Sequence, residues 1–597
     1  MKTEYFILAI LLYVLPYLYY ISVSHGLGHK AEYLQLRRFL PCAVIAVLPI
    51  ALSNLELTSP IFLTSLFTGL CWIITYPLLY FLTYRKISSD FGFHLDIVFG
   101  LYIIGWLSSL KILLIYFNII PYLTITIVST IEFIIFMIPA AQWIYYYLYK
   151  SCITEEGISM LQETYINETI EFIKSFPAAF NIIVGSAVAI TYTLFLNFNL
   201  TFTNMILSNI DIGIILALVL FLTHYLWKNG KTAKKQGVFV RTGIIKLYID
   251  VKHYLQSIHL YKSNLNERIK SLQVIANGQP FNKPSTIIMV IGESASRDYM
   301  SAFTDYPVNT TPWLTENKTN PHFILFPRSY SCVASTATCL SNALTETNQY
   351  NDKQFYSSLS IIDIAHKAGY TTHWYSNQGN LGDSSTAVTV IANTCGTAKW
   401  TKQNLNKIQY DEALLDYLNE IDPSRNNFVV IHLKGSHFNF INRYPQNFAK
   451  FSKPNHYDLI PNYIDSIAYT DYILQKIWEY GNEKLNLQAM LYFSDHATVP
   501  DKRRSPNFDG FGSVRIPMFT YFSDEYINKH SEVYKTLIKN QNKYFTNDLI
   551  YELVCGILDI KSNHYDEKNS LASLQYRYTK NNLKTNMGKQ SLSADND

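Results

Sequence analysis

Residues Thr286–Glu293 read TIIMVIGE, an almost unbroken apolar run that follows Pro284 and ends in a carboxylate. A run this short, bounded by Pro and Gly, is the pattern of a strand buried on both faces, and it delivers Glu293 at its C-terminal end. Two further stretches repeat the arrangement. Phe428–Ile431 (FVVI) runs into His432, Gly435 and His437, and Ala489–Phe493 (AMLYF) runs into Ser494, Asp495 and His496. Helical periodicity fills the intervals. The polar half of the chain is therefore expected to be a parallel sheet flanked by helices, with its functional groups beyond the carboxyl ends of the strands.

Taken singly, each piece has an ordinary reading. A Glu after a strand commonly charges a helix N-terminus, and an isolated Asp-His pair is commonly a cap or a surface pair. Three buried strands that all end in ligand-type side chains within one α/β domain point instead to a shared site. A carboxylate beside an imidazole suits a borderline ion such as zinc. The segment Ser331–Thr345 (SCVASTATCLSNALT) adds hydroxyls ahead of a helical pattern, and both Thr336 and Thr338 qualify as a nucleophile. A divalent metal activates such a hydroxyl, as it lowers the pKa of bound water from ~15.7 to about 7. A helix N-terminus behind it favours an anion.

Outward from this region the composition changes. From Tyr5 to Trp227 the chain is a succession of long apolar runs, at Phe6–Ile21, Phe39–Ser53, Ile61–Tyr84, Ile97–Phe117, Tyr122–Tyr149, Phe180–Leu200 and Ile212–Trp227. These predict five to seven membrane spans, several near the minimum of about 17 residues. The first lacks a strong basic flank and a small-residue cleavage site, so it reads as a retained span. Trp143, Tyr145, Tyr146, Tyr147 and Tyr149 mark a membrane interface. Basic residues stand at Lys30, Arg37 and Arg38, at Arg85 and Lys86, and at Lys228, Lys231, Lys234 and Lys235. Seven spans with a cytoplasmic N-terminus would put all three groups outside, against the positive-inside tendency. Glu132, inside an apolar run, is expected to face a bundle interior and make a structural hydrogen bond rather than act in catalysis.

The domain reading is a transmembrane domain over 1–227 with an interfacial amphipathic helix near 151–177, then a bridging helix and linker over 228–280. A soluble α/β domain follows over 281–580 and a polar tail over 581–597. The net charge of +4 over 597 residues contains no large basic block, so nucleic acid is not an expected partner. The polar half carries Cys332, Cys339, Cys395 and Cys555, which permit two disulfides without requiring any.

In order along the chain, these motifs resemble the phosphoethanolamine transferases of Gram-negative bacteria, members of the alkaline phosphatase and sulfatase superfamily. The matching segments are IGESASR from Ile291, YPVNTTP at Tyr306–Pro312, WYSNQ at Trp374–Gln378, HLKGSH at His432–His437, RYP at Arg443–Pro445 and SDH at Ser494–His496. QETYINETIEF at Gln162–Phe172 is similar to the stretch that the family carries between membrane spans. The resemblance implies a multi-span α-helical membrane domain joined to a soluble α/β domain of the alkaline phosphatase and sulfatase type. It implies a catalytic zinc held by Glu293, Thr336, Asp495 and His496. Thr336 is the implied nucleophile, because that alignment also sets Cys332 on the family's preceding cysteine and Ala343–Thr345 on the following helix; Thr338 is the alternative. Asn377, His432 and His437 fall on positions associated with the phosphate headgroup or a second metal.

The implied reaction moves phosphoethanolamine from phosphatidylethanolamine, through a phosphothreonine, to an envelope acceptor such as lipopolysaccharide. The implied setting is the bacterial inner membrane, crossed several times, with the catalytic domain in the periplasm. Other readings are a membrane-anchored sulfatase or phosphodiesterase that passes the group to water, and a non-catalytic scaffold. The chain departs from the family pattern in two places. Ala497 and Thr498 follow His496 where Gly-Glu is usual, and Arg515 precedes Ile516 and Pro517 where a histidine often stands, so a second metal does not follow from the resemblance.

Overall fold

The computed structural model describes residues 2–26, 36–83, 94–117, 121–153, 173, 176–199, 207–231, 243–378, 386–401, 408–453, 456, 458–502 and 508–597. The interior of the expected interfacial helix, including Gln162–Phe172, lies outside them. The chain divides into two compact units, the first built mainly from Met1–Ile158 and Phe176–Lys252 and the second mainly from His253–Asp597.

In the first unit, long apolar stretches with few charges form helices because only a helix satisfies every backbone polar group within its own segment in hydrocarbon. These are α1 (Thr3–Gly26), α2 (Leu36–Leu52), α3 (Pro60–Thr83), α4 (His94–Phe117), α5 (Pro121–Tyr149), α6 (Ala178–Asn199) and α7 (Asn209–Lys231). Among the described residues five of them, α1 and α3 to α6, are long and apolar enough to cross a membrane, whereas the apolar parts of α2 and α7 are shorter. Helices α3 and α4 approach closely at Gly69 and Gly100. A Cβ on Gly100 would stand 2.6 Å from the Gly69 carbonyl oxygen, so only the bare backbone fits.

Glu132 on α5 is fully buried, as its place in an apolar run demands. It accepts a hydrogen bond from Lys111 Nζ on α4 (2.6 Å) and one from Asn199 Nδ2 on α6 (3.0 Å). Lys111 donates in addition to Thr64 Oγ1 on α3 (2.6 Å) and to the Ile61 carbonyl oxygen (3.3 Å). Four helices thus meet at one buried ion pair. At the end of α5, Trp143 is tied by its indole N–H to Thr75 Oγ1 (3.0 Å), and Tyr147 is exposed.

The second unit is built on a seven-stranded sheet. Its strands are β1 (Thr286–Gly292), β2 (Phe323–Leu325), β3 (Thr371–Ser376), β4 (Thr397–Trp400), β5 (Asn427–His432), β6 (Leu487–Ser494) and β7 (Met518–Phe522), in the spatial order β2–β7–β6–β1–β5–β3–β4. The five strands from β6 to β4 run parallel, and β7 pairs antiparallel with both β6 and β2. The apolar runs are uninterrupted because both faces are covered. Ile287, Met289 and Ile291 point into one core with Cys339, Leu340 and Ala343, while Ile288 and Val290 point into another with Ile473, Leu474 and Ile477. The first face carries α8 (Thr336–Ala343) and the second carries α9 (Leu459–Lys484).

Residues 581–597, set apart above as a polar tail, are folded into this unit. Leu583 and Leu592 are fully buried in the first core, Thr585 Oγ1 donates to the Ser331 carbonyl oxygen (2.7 Å), and Met587 N donates to that of Cys332 (3.0 Å). Two well-spaced leucines anchor the segment, so its polar average composition misleads. Cys332, Cys339, Cys395 and Cys555 form no disulfide.

Candidate metal centre

Strands β1, β5 and β6 lie side by side and end together. Gly292 pairs with Ser494, and Ile291 pairs with His432, so the residues just past these positions are neighbours in space. Asp495 N donates to the Gly292 carbonyl oxygen (3.0 Å), which prolongs the ladder by one bond and sets Asp495 beside Glu293. The chain then turns through Ser294, whose φ of 60° is left-handed and unusual for a residue with a Cβ. The turn is held from several sides. Ser294 N donates to Asp495 Oδ1 (2.9 Å), Ser294 Oγ donates to Glu293 Oε1 (2.6 Å), and the Ser294 carbonyl oxygen accepts from Tyr463 OH (2.8 Å). Backbone strain of this kind persists only where the surroundings over-determine it.

Glu293, Asp495 and His496 are all buried, with one ligand atom from each within 4.8 Å of the others. His496 Nδ1 lies 3.0 Å from the Ala497 carbonyl oxygen. A carbonyl can only accept, so Nδ1 carries a proton and Nε2 is the ring nitrogen left to act as a ligand. Nε2 faces Asp495 Oδ2 at 3.3 Å and Glu293 Oε1 at 3.4 Å. Three ligand-type atoms thus converge in a buried site. Burial pushes the Asp495 carboxyl above its usual range, against Ser294 N, the Glu293 and Thr336 side chains and His496 N, which hold it down; by hydrogen-bond geometry its Oδ2 has no partner among the described residues. A divalent cation resolves the conflict, and two carboxylates with one imidazole Nε2 are a donor set that zinc accepts. The residues present fit such an ion.

Thr336 is the first residue of α8, with Ser335 extended ahead of it. Its Oγ1 donates to Glu293 Oε2 (3.1 Å) and lies 3.3 Å from His496 Nε2, so the hydroxyl joins the trio as a fourth oxygen or nitrogen donor. No bond joins the Thr338 hydroxyl to the trio among the described residues. The N–H groups of the first turn of α8 have no helical partner, and no side chain caps them at Ser335. The loop leading to Thr336 is pinned to the far side of the metal ligands. Ser331 Oγ and Asn547 Nδ2 both donate to the Asp495 carbonyl oxygen, each at 2.6 Å.

Comparisons with known proteins bear on the domain that carries these residues. Residues 285–554 match the Sulfatase family. This chain carries a sulfatase-family domain. Its curated relatives include phosphoethanolamine transferase EptC of Escherichia coli K12, 26% identical over 358 residues, or 55% of this chain and 61% of that protein. A putative phosphoethanolamine transferase of Haemophilus influenzae is 30% identical over 224 residues, covering 35% of this chain and 44% of that one. The chain thus matches less than two thirds of the length of these relatives. Among solved structures, the integral membrane lipooligosaccharide phosphoethanolamine transferase A of Neisseria meningitidis shares the fold. Its TM-score is 0.55 at 16% identity, over 86% of this chain and 98% of that one. The architecture is therefore a multi-span helical membrane domain with an α/β domain of the alkaline phosphatase and sulfatase type. The resemblance drawn from the motifs agrees with the names of these relatives.

Within the sulfatase-family domain, the second group of expected site residues is divided. His432 ends β5 with its ring edge toward Trp374, and its Nε2 is buried without a hydrogen-bond partner among the described residues. Burial, aided by the nearby Lys434 cation, pushes its pKa down to about 3, so the imidazole is neutral. His437 is half-buried in the turn that follows. Asn377 is fully buried, and its amide is committed to the protein. Nδ2 donates to the Gln409 carbonyl oxygen (3.0 Å) and to Asp411 Oδ1 (2.8 Å), and Oδ1 accepts from Thr401 Oγ1 (2.5 Å). The sequence reading missed Asp411, whose only local signal is an acidic residue opening a short helix. Arg515, at one of the family departures, is committed as well. It pairs with Asp298 (3.1 Å) and, through Nε (2.9 Å) and a second nitrogen, with Asp595 of the C-terminal segment.

Proposed function

We propose that this chain transfers phosphoethanolamine from phosphatidylethanolamine to an envelope acceptor such as lipopolysaccharide, through a phosphothreonine at Thr336. The setting is the bacterial inner membrane, crossed several times, with the sulfatase-family domain in the periplasm. Glu293, Asp495, His496 and Thr336 hold one zinc ion, which when bound supplies a Lewis acid that makes the threonine oxygen nucleophilic. The observation that carries this reading is the Thr336 hydroxyl, set at the mouth of a helix and within 3.3 Å of both Glu293 and His496 of the buried trio. The relatives named as phosphoethanolamine transferases supply the substrate class.

In the first half-reaction Thr336 Oγ1 attacks the donor phosphorus. The oxygen–phosphorus bond to threonine forms, the phosphoester bond to diacylglycerol breaks, and the threonine proton ends on the departing diacylglycerol oxygen. In Thr336 at rest that proton points at Glu293 Oε2, 3.1 Å away. In the second half an acceptor oxygen attacks the same phosphorus, and the threonine hydroxyl re-forms with the acceptor's proton. The free N–H groups at the start of α8 favour the negative phosphoryl oxygens. His432 and His437 read the headgroup from the adjacent strand end, His432 as a neutral imidazole with an open Nε2.

The test is the full chain reconstituted in vesicles with labelled phosphatidylethanolamine and lipopolysaccharide. The expected result is diacylglycerol released in step with acceptor modification, and a fall of more than about 10⁴-fold in Thr336→Ala. Free phosphoethanolamine with no modified acceptor would make the protein a hydrolase and overturn transfer.

A further inference from the structure

The carboxylate of Asp411 is among the most completely used in the sulfatase-family domain, and it serves neither the metal trio nor its own helix. Asp411 is 2% exposed and opens a short helix over Asp411–Leu414, yet both of its oxygens go to a turn 23 and 24 residues further along. Oδ1 accepts from Lys434 N at 2.7 Å and Oδ2 from Gly435 N at 2.9 Å. Asn377 closes the arrangement from the third side, giving Nδ2 to Asp411 Oδ1 and its own backbone N–H to the His432 carbonyl oxygen at 2.9 Å.

The turn so fixed lies directly against a metal ligand. Leu433 N donates to the Ile291 carbonyl oxygen and Ser436 N to that of Glu293, both at 2.9 Å. Between them Gly435 has a φ of +53°, and a Cβ there would meet the Glu293 carbonyl oxygen at 2.8 Å and its nitrogen at 3.0 Å. Glycine is needed twice over, for the left-handed backbone and for the approach. The chain of contacts therefore runs from Asn377 to Asp411, to the Lys434–Gly435 peptides, to the main chain of Glu293. The same turn carries His432 at one end and His437 at the other.

We infer that Asp411 is the positioning residue of the metal centre, holding the Lys434–Gly435 turn against Glu293 and so fixing both the metal-binding carboxylate and the two headgroup histidines. Without it two buried N–H groups lose their acceptor, and the turn moves to satisfy them. Glu293 then has room to leave its ligating position. Partners one step behind a metal ligand typically change metal affinity by about ten- to a hundred-fold when removed. The inference rests on the metal reading of Glu293.

The experiment is zinc affinity by chelator competition on the full chain in detergent, alongside the melting temperature of the zinc-free protein. Glu293→Gln is the reference and is expected to lose tight zinc binding. Asp411→Ala and Gly435→Ala are expected to bind zinc about ten- to a hundred-fold more weakly. Asp471→Ala is the matched control, since Asp471 is also a buried carboxylate that accepts two backbone N–H groups, from Trp313 (2.9 Å) and Leu314 (3.1 Å), without contact to the site. It is expected to lower the melting temperature and leave zinc affinity unchanged. Zinc affinity unchanged in Asp411→Ala while Glu293→Gln loses it overturns the positioning role and spares the metal. Zinc bound equally well by Glu293→Gln overturns both. If Asp411→Ala does not accumulate, Asn377→Ala decides in its place, and unchanged affinity there overturns the inference.

Discussion

Each unit of this protein buries a cluster of ionised side chains, and the two clusters are balanced differently. In the membrane unit Lys111 and Glu132 lie 2.6 Å apart, both essentially inaccessible, with Thr64 and the Ile61 carbonyl taking the other Lys111 protons and Asn199 donating to Glu132. Positive meets negative within the pair. In the sulfatase-family domain Glu293 and Asp495 are just as deeply buried, but two carboxylates meet a single imidazole, that of His496. With both carboxylates ionised, even a protonated ring leaves that cluster short of positive charge. The contrast supplies a working criterion: a buried ionic group that is neutral and saturated by itself is structural, whereas one with surplus negative charge and a donorless oxygen is built for a cation.

Three changes sharpen or break that contrast. The largest stability effect is expected in the membrane pair. Glu132→Gln leaves Lys111 charged and buried, and should cost about 3 to 5 kcal/mol as read from thermal unfolding in detergent. The double replacement Lys111→Met with Glu132→Leu should recover most of that loss, because it removes both charges together. If the single and double changes cost the same, the pair is not self-contained. The metal centre should behave in the opposite sense. Asp495→Asn keeps an oxygen for Ser294 N and His496 N and removes one of two crowded buried carboxylates, so zinc-free protein should melt about 2 to 4 °C higher while zinc binding is lost. A lower melting temperature in the zinc-free variant would mean that the trio is already content without an ion.

What could be read from the sequence follows the same division between local and distant causes. The strands of the sheet centre were legible because burial on both faces removes the polar alternation, leaving TIIMVIG as a plain apolar run with a ligand at its end. The long helices were legible because hydrocarbon tolerates little else. Glu132 was legible as a bundle-facing group, but its partner was not. Lys111 lies 21 residues earlier on another helix, and no periodicity links the two. Asp411 was missed for the same reason, since its acceptor role is spent on a turn far along the chain. Asn377 was placed beside the headgroup by its motif, yet its amide is fully occupied inside the protein. The C-terminal segment reads as polar because Leu583 and Leu592 are its only fully buried large apolar side chains, and the partners of Arg515 were not legible because Asp298 and Asp595 are remote in sequence.

All of this turns on whether the trio with Thr336 holds one ion. Zinc content of the purified full chain, by elemental analysis after removal of loosely bound metal, settles it when wild type, Glu293→Gln and Asp495→Asn are measured together. About one zinc per chain in the wild type and essentially none in either variant is the expected result. A wild-type chain without zinc, or variants that retain the wild-type content, would contradict it.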